Sequence, residues 1–212
     1  LDKNNESKNT IIVFLGDNGG LATSQEWREG PLYTQNSPLK CGKGSMYEGG
    51  VRVPFMVKWN GVVKPDTRNN TSIMIEDLFP TLLHMAQVNN YKVPQIVDGK
   101  DMVPLLEGKN EAEFNKRSII WNFPNIWGNT GPGINLNCAI RQGDWKLIYN
   151  YETGEKELYN IPQDIGENNN LAHANPSKVK ELSSILGKKL RQMNAQRPVV
   201  TATSKPCAWP DE

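Results

Sequence analysis

Apolar residues follow two different rhythms along this chain. In the first half they come as short unbroken runs: Ile-Ile-Val-Phe-Leu at 11–15 and a second run at 53–59. An unbroken run rich in β-branched residues predicts a buried strand of a parallel sheet rather than an edge strand. Between 72 and 87, Ile75, Leu78, Phe79, Leu82, Leu83 and Ala86 recur at helical spacing. That spacing predicts a helix burying this face, with Pro80 leaving open a kink or an earlier start. A short docking helix is expected at 103–106 and a polar linker at 108–116. Beyond the linker, 118–123, 137–141, 145–151 and 157–161 predict strands of an antiparallel sheet, with Gln142-Gly143-Asp144 as a hairpin turn. A helix opened by Pro176 and running to about Asn194 carries Val179, Leu182, Ile185, Leu186 and Leu190 on one stripe. The tail beyond Arg197, rich in Pro, Thr and Ser, is expected to run extended over the surface.

Composition narrows the function classes. The 212 residues hold 24 Lys+Arg against 23 Asp+Glu, so no nucleic acid or acidic membrane surface is expected as a partner. No apolar stretch is long enough to span a bilayer. The first residues are polar and lack an initiating Met, so the chain is expected to be a piece of a longer protein. Three cysteines, Cys41, Cys138 and Cys207, are too scattered for a disulfide framework or a zinc site; one disulfide or three free thiols both remain open. Sequons at Asn5, Asn69 and Asn70 add little in so Asn-rich a chain.

Chemistry concentrates after the first strand. Gly-Asp-Asn-Gly-Gly at 16–20 puts a carboxylate (Asp17) and an amide carbonyl (Asn18) just past the end of a strand, where open α/β sheets place their ligands. Oxygen donors of this kind suit a hard cation such as Ca²⁺ or Mg²⁺. A plain Asn-Gly turn explains the same residues. A long loop follows, and loops of this length are usually functional. Lys43, between Gly42 and Gly44, is a cation on a backbone that can approach an oxyanion closely, or an exposed loop lysine. Glu48 and Arg52, four apart, are placed to form an ion pair that orients the loop. His84 and His173 read as structural or solvated residues.

Taken together, Gly-Asp-Asn-Gly-Gly and Pro-Leu-Lys-Cys-Gly-Lys-Gly-Ser-Met-Tyr-Glu-Gly-Gly-Val-Arg-Val-Pro (38–54) resemble the formylglycine-dependent type I sulfatases, or arylsulfatases. Ala-Ile-Arg-Gln-Gly-Asp-Trp-Lys-Leu-Ile (139–148) and the 157–172 stretch resemble that family's C-terminal subdomain. The resemblance implies an α/β fold: residues 1–110 as the C-terminal part of an alkaline phosphatase-like α/β sandwich domain, and 111–212 as a small antiparallel-sheet-plus-helix (α+β) subdomain. It implies Asp17 and Asn18 as calcium ligands, Lys43 as the lysine that contacts the sulfate and stabilises charge on its oxygens, and Glu48, Gly49, Gly50 and Arg52 as loop support.

The family's nucleophile is a formylglycine made from a Cys/Ser-x-Pro-x-Arg motif, which this sequence does not contain. The resemblance therefore implies a fragment, inactive alone, whose nucleophile and remaining calcium ligands lie upstream in the rest of the sulfatase chain. It implies a sulfated carbohydrate or aryl sulfate as substrate, and a secreted or periplasmic location, lysosomal in a eukaryote. Trp127, in the aromatic 121–133 loop, is a candidate sugar contact or an aromatic anchoring its own loop, and Asn122 stands where relatives often carry His. Two other readings stay open: a phosphatase or phosphonate hydrolase of the alkaline phosphatase-like superfamily, and a non-catalytic protein binding sulfated glycans.

Overall fold

The computed structural model describes residues 1–22, 35–88, 90–109, 112–125, 131 and 133–212. In chain order the elements are β1 (Ile11–Leu15), α1 (Glu48–Val51), β2 (Phe55–Trp59), α2 (Leu78–Met85), α3 (Val103–Leu106), α4 (Ala112–Lys116), β3 (Ser118–Phe123), β4 (Asn137–Gln142), β5 (Trp145–Asn150), β6 (Lys156–Asn160), α5 (Pro176–Gln192), β7 (Val199–Val200) and β8 (Lys205–Pro206). They divide into two compact units, one of residues 1–15 and 54–117, the other of residues 16–53 and 118–212.

In the first unit, β1 pairs antiparallel with β2, Ile11 opposite Trp59 and Leu15 opposite Phe55. The expected buried parallel strand is thus corrected. β1 alternates, with Ile11, Val13 and Leu15 partly buried and Ile12 and Phe14 exposed beside exposed Met56. An unbroken apolar run fixes the strand; it does not fix its neighbour's direction or which face is covered. The helix α2 starts at Leu78, which places Pro80 in its first turn, where a missing N–H costs little. Its expected buried face is corrected as well. Ile75, Phe79, Leu82 and Ala86 point outward, and Leu78 and Thr81 point inward.

What anchors this helix is polar. Asp77, fully buried, accepts the N–H groups of Met74 and Lys100 and both terminal nitrogens of Arg117 at 2.7 and 2.6 Å. A buried carboxylate is tolerable only when its lone pairs are filled in this way. The small core here gathers Met102, Leu105 and Phe114. Phe114 belongs to α4, so the expected polar linker holds a helix whose one large apolar residue is buried.

The second unit is built on the antiparallel meander β3-β4-β5-β6. The predicted hairpin turn closes β4 and β5 with Gly143 in the left-handed region (φ 57°), so that Arg141 stands opposite Lys146. Along α5, Leu182, Leu186 and Leu190 are buried against Cys138, Ile140, Leu147 and Leu158, with Val179 and Ile185 at the margins. The expected surface tail is corrected. β7 and β8 pair, and Cys207 and Trp209 enter this core. Asp211 lies so close to Gly187 of α5 that a Cβ there would stand 1.9 Å from its Oδ1. All three cysteines are free thiols. Among the described residues no helix is long and apolar enough to cross a membrane.

Candidate functional site

Asp17 and Asn18 lie two and three residues past β1 and belong, with Lys43, to the second unit. The turn is local: the Asn18 N–H donates to Asp17 Oδ1 at 2.9 Å. Backbone bonds then stitch it to the Lys43 loop. Gly19 N–H donates to Gly50 O (2.9 Å), and Lys43 N–H donates to Gly20 O (3.1 Å). Asn36 bridges the two segments: its Nδ2 donates to Gly20 O and Cys41 O, and its Oδ1 accepts from Gly20 N–H. Gly19 must be glycine at this seam, because a Cβ would stand 1.7 Å from Gly49 O. The Asp17–Asn18 pair and Lys43, 25 residues beyond Asn18, are thereby held on one backbone assembly.

The two lysines of the loop have different fates. Lys40 turns inward, its Nζ donating to Glu167 O at 3.1 Å and sitting 4.1 Å from the centre of the Tyr47 ring. Lys43 is partly buried, and among the described residues its Nζ makes no hydrogen bond or ion pair.

Beneath the loop lies a buried charge cluster. The expected Glu48–Arg52 pair forms at 3.2 Å, but it is the outermost of several contacts. Glu48 also meets Lys146 Nζ at 3.0 Å and Arg141 at 3.4 Å, and Lys146 meets Glu167 at 3.0 Å. Glu167 Oε2 accepts the Glu48 N–H at 2.6 Å. Burial works against the charge of Glu48, yet Lys146 and Arg141 outweigh it and hold the carboxyl below the ordinary range. For Glu167 burial prevails over Lys146, and its pKa is raised. At one flank Tyr47 and Tyr159 both donate to Glu157, and burial followed by that carboxylate raises both phenols.

The sequence reading missed Asn36, Lys146 and Glu167. One signal was available: the short turn at Gly143 sets Arg141 opposite Lys146, and two cations facing each other in a ladder require an anion between them. His84 bonds Asp101 at 2.6 Å and is half exposed, and His173 lies in an exposed turn, in keeping with structural and solvated roles. Asn122 is a structural tie, accepting from Tyr151 OH and donating to Gln196 O. Trp127 lies outside the described residues.

Asp17 and Asn18 offer hard oxygen donors, a set that fits a divalent cation such as Ca²⁺ as part of its shell. Among the described residues no cluster of three or more His, Cys, Asp and Glu could hold a metal. Two ligands are a fraction of the six to eight oxygens that calcium takes.

Residues 41–196 match the family model described as N-sulphoglucosamine sulphohydrolase, C-terminal. That span includes Lys43, Glu48, Lys146 and Glu167, and Asp17 and Asn18 precede it. The chain is 36% identical over 194 residues to a "Sulfatase" of Formosa agariphila, covering 87% of this chain and 33% of that protein. Ps i-CgsB in complex with k-i-k-neocarrahexaose is similar in structure, at TM-score 0.68 and 29% identity, over 93% of this chain and 40% of that one. So is BT4656 in complex with its substrate D-glucosamine-2-N,6-O-disulfate, at TM-score 0.69 and 27% identity, over 92% and 36%. The chain spans about a third of the length of the curated relatives it matches.

Proposed function

The chain belongs to the N-sulphoglucosamine sulphohydrolase C-terminal family of sulfatases, and on that premise we propose that it contributes the sulfate-gripping part of a sulfate-ester hydrolase acting on a sulfated carbohydrate. The observation that carries this reading is Lys43: an ammonium with no hydrogen-bond or ion-pair partner among the described residues, on a backbone bonded directly to the segment that follows Asp17 and Asn18. Lys43 holds a sulfate oxygen and neutralises the charge that builds on it as the S–O bond to the sugar breaks. Asp17 and Asn18 would hold Ca²⁺, which when bound supplies Lewis-acid polarisation of sulfate oxygens. Gly19, Gly20 and Asn36 keep the turn and the Lys43 loop at one spacing. Lys40, Glu48 and Lys146 work behind the site and carry no chemistry.

No Cys/Ser-x-Pro-x-Arg motif occurs in these 212 residues, so the formylglycine nucleophile is assigned to another part of the full-length enzyme. The sugar substrate follows from relatives whose structures carry k-i-k-neocarrahexaose or a disulfated glucosamine. The test is turnover by the full-length enzyme of matched sulfate and phosphate esters of one sugar. Release of inorganic sulfate in preference to phosphate is expected. Preferential phosphate release, or binding of the sulfated sugar with no sulfate released, would overturn the reading.

A further inference from the structure

We infer that Glu167 is a positioning residue for the sulfate site, clamping both ends of the loop from which Lys43 projects. The inference rests on the proposed sulfate role of Lys43. Glu167 lies 124 residues downstream of Lys43, and none of its atoms needs to reach the substrate for this role.

Three contacts define the clamp. At one end of the loop, the backbone oxygen of Glu167 accepts Lys40 Nζ at 3.1 Å. At the other end, its Oε2 accepts the Glu48 N–H at 2.6 Å. Its Oε1 lies 3.0 Å from the ammonium of Lys146, which is rooted in β5 and also meets Glu48. Lys43 is between Lys40 and Glu48, and Gly49 N–H closes the loop on Lys40 O at 2.9 Å. The loop then passes its position to the cation ligands: Gly50 O receives the Gly19 N–H, and Gly20 O receives the Lys43 N–H.

Two properties of Glu167 set it apart from an ordinary buried ion pair. It is fully buried, and its backbone sits in the left-handed region at φ 50°, a costly conformation for a long side chain. Asn or Gly would relieve that strain at no steric cost, but neither reaches the Glu48 N–H and Lys146 together. Such strain persists where the surroundings over-determine it, and it concentrates at functional sites. A misplacement of about 1 Å at a group that meets developing charge can cost about 100-fold in rate. A rigid clamp at both ends of the Lys43 loop guards against that loss.

The experiment uses the full-length enzyme and four variants: Glu167→Ala, Glu167→Gln, Lys43→Ala and the double variant Glu167→Ala/Lys43→Ala. Glu167→Ala should lower kcat per folded enzyme by about 10- to 100-fold. Hydrogen exchange should quicken at the amides of Gly19, Lys43 and Gly49 and stay unchanged in β5 and α5. Glu167→Gln, whose amide oxygen still accepts the Glu48 N–H, should recover most of the rate. In the Lys43→Ala background, loss of Glu167 should cost less than about 3-fold, because the residue it positions is gone. If Glu167→Ala does not fold, Glu167→Asp keeps the charge, shortens the reach and carries the same expectations. Unchanged exchange at the three amides, or an undiminished kcat loss in the Lys43→Ala background, overturns the positioning role. Wild-type turnover by Lys43→Ala overturns the sulfate reading of Lys43 instead, and the exchange data then judge the clamp alone.

Discussion

Removing Lys146 tests how the second unit tolerates two buried carboxylates. Its ammonium is fully buried and lies 3.0 Å from Glu48 and 3.0 Å from Glu167, whose side chains are 2% and 0% exposed. Lys146→Met keeps the stem's volume and deletes the charge. Taking one partner from a buried pair leaves an uncompensated charge and costs about 3–5 kcal/mol. With a urea slope of about 2 kcal/mol per M, the unfolding midpoint should fall by roughly 2 M.

The pH dependence has a definite sign. Glu48's carboxyl is held below its ordinary value, so its contribution is complete above the unfolded pKa of about 4.3 and disappears only as pH falls through the lower folded value. Glu167 runs the other way: its pKa is raised, so its ionisation costs stability, and that cost fades as pH falls. Without Lys146 both carboxyls lose the main attraction that opposes burial and both pKa values move upward, although Arg141 and Arg52 still face Glu48. The deficit of Lys146→Met should therefore be largest at pH 7 and shrink towards pH 5, where protonation removes the stranded charge. Urea melts of wild type and variant, followed by circular dichroism at both pH values, read this directly. A variant as stable as wild type at pH 7, or one whose deficit grows at pH 5, refutes the reasoning. Lys146→Met/Glu167→Gln, which removes one charge of each sign and leaves Glu48 paired with Arg141 and Arg52, should recover part of the loss.

Two further substitutions probe the seam and the tail. Gly19→Ala places a methyl group 1.7 Å from Gly49 O, so the Asp17–Asn18 turn and α1 must part; a loss of about 1–3 kcal/mol and of sulfate-ester turnover is expected, and wild-type melting together with wild-type turnover would count against the geometry. Trp209, 8% exposed with the Arg197 guanidinium 4.3 Å from its ring centre, closes the core over α5; Trp209→Ala should cost about 3–5 kcal/mol in a urea melt, and an unchanged midpoint would mean the tail is not part of that core.

The parts of the fold legible in the sequence are those whose signal is local. The meander β3 to β6 follows from short apolar-rich runs divided by turns, its central hairpin from Gly143, and α5 from the spacing of Leu182, Leu186 and Leu190. Misread elements depended on partners that local pattern does not specify. β1 looks the same in sequence whether one face or both are covered, and α2 is anchored by buried Asp77 and Thr81 rather than by its apolar stripe. α4 declares itself only by Phe114 among polar neighbours. Adjacent glycines make Asp17, Asn18 and Lys43 stand out in the sequence, and the structure joins their segments by backbone bonds. The Glu48–Lys146–Glu167 cluster was not legible, since it joins residues 98 and 119 positions apart with no periodicity to announce it.

The central claim is that Lys43 is the cation offered to a sulfate oxygen. The direct measurement is kcat for a sulfated sugar with Lys43→Ala in the full-length enzyme, alongside its melting temperature. Loss of a charged contact to the transition state should lower kcat by about 100- to 1,000-fold. The melting temperature should stay within about 2 °C, because the Lys43 ammonium has no ion-pair or hydrogen-bond partner among the described residues, and deleting such a side chain changes stability by about 0.5 kcal/mol or less. Turnover within about 3-fold of wild type would contradict the account.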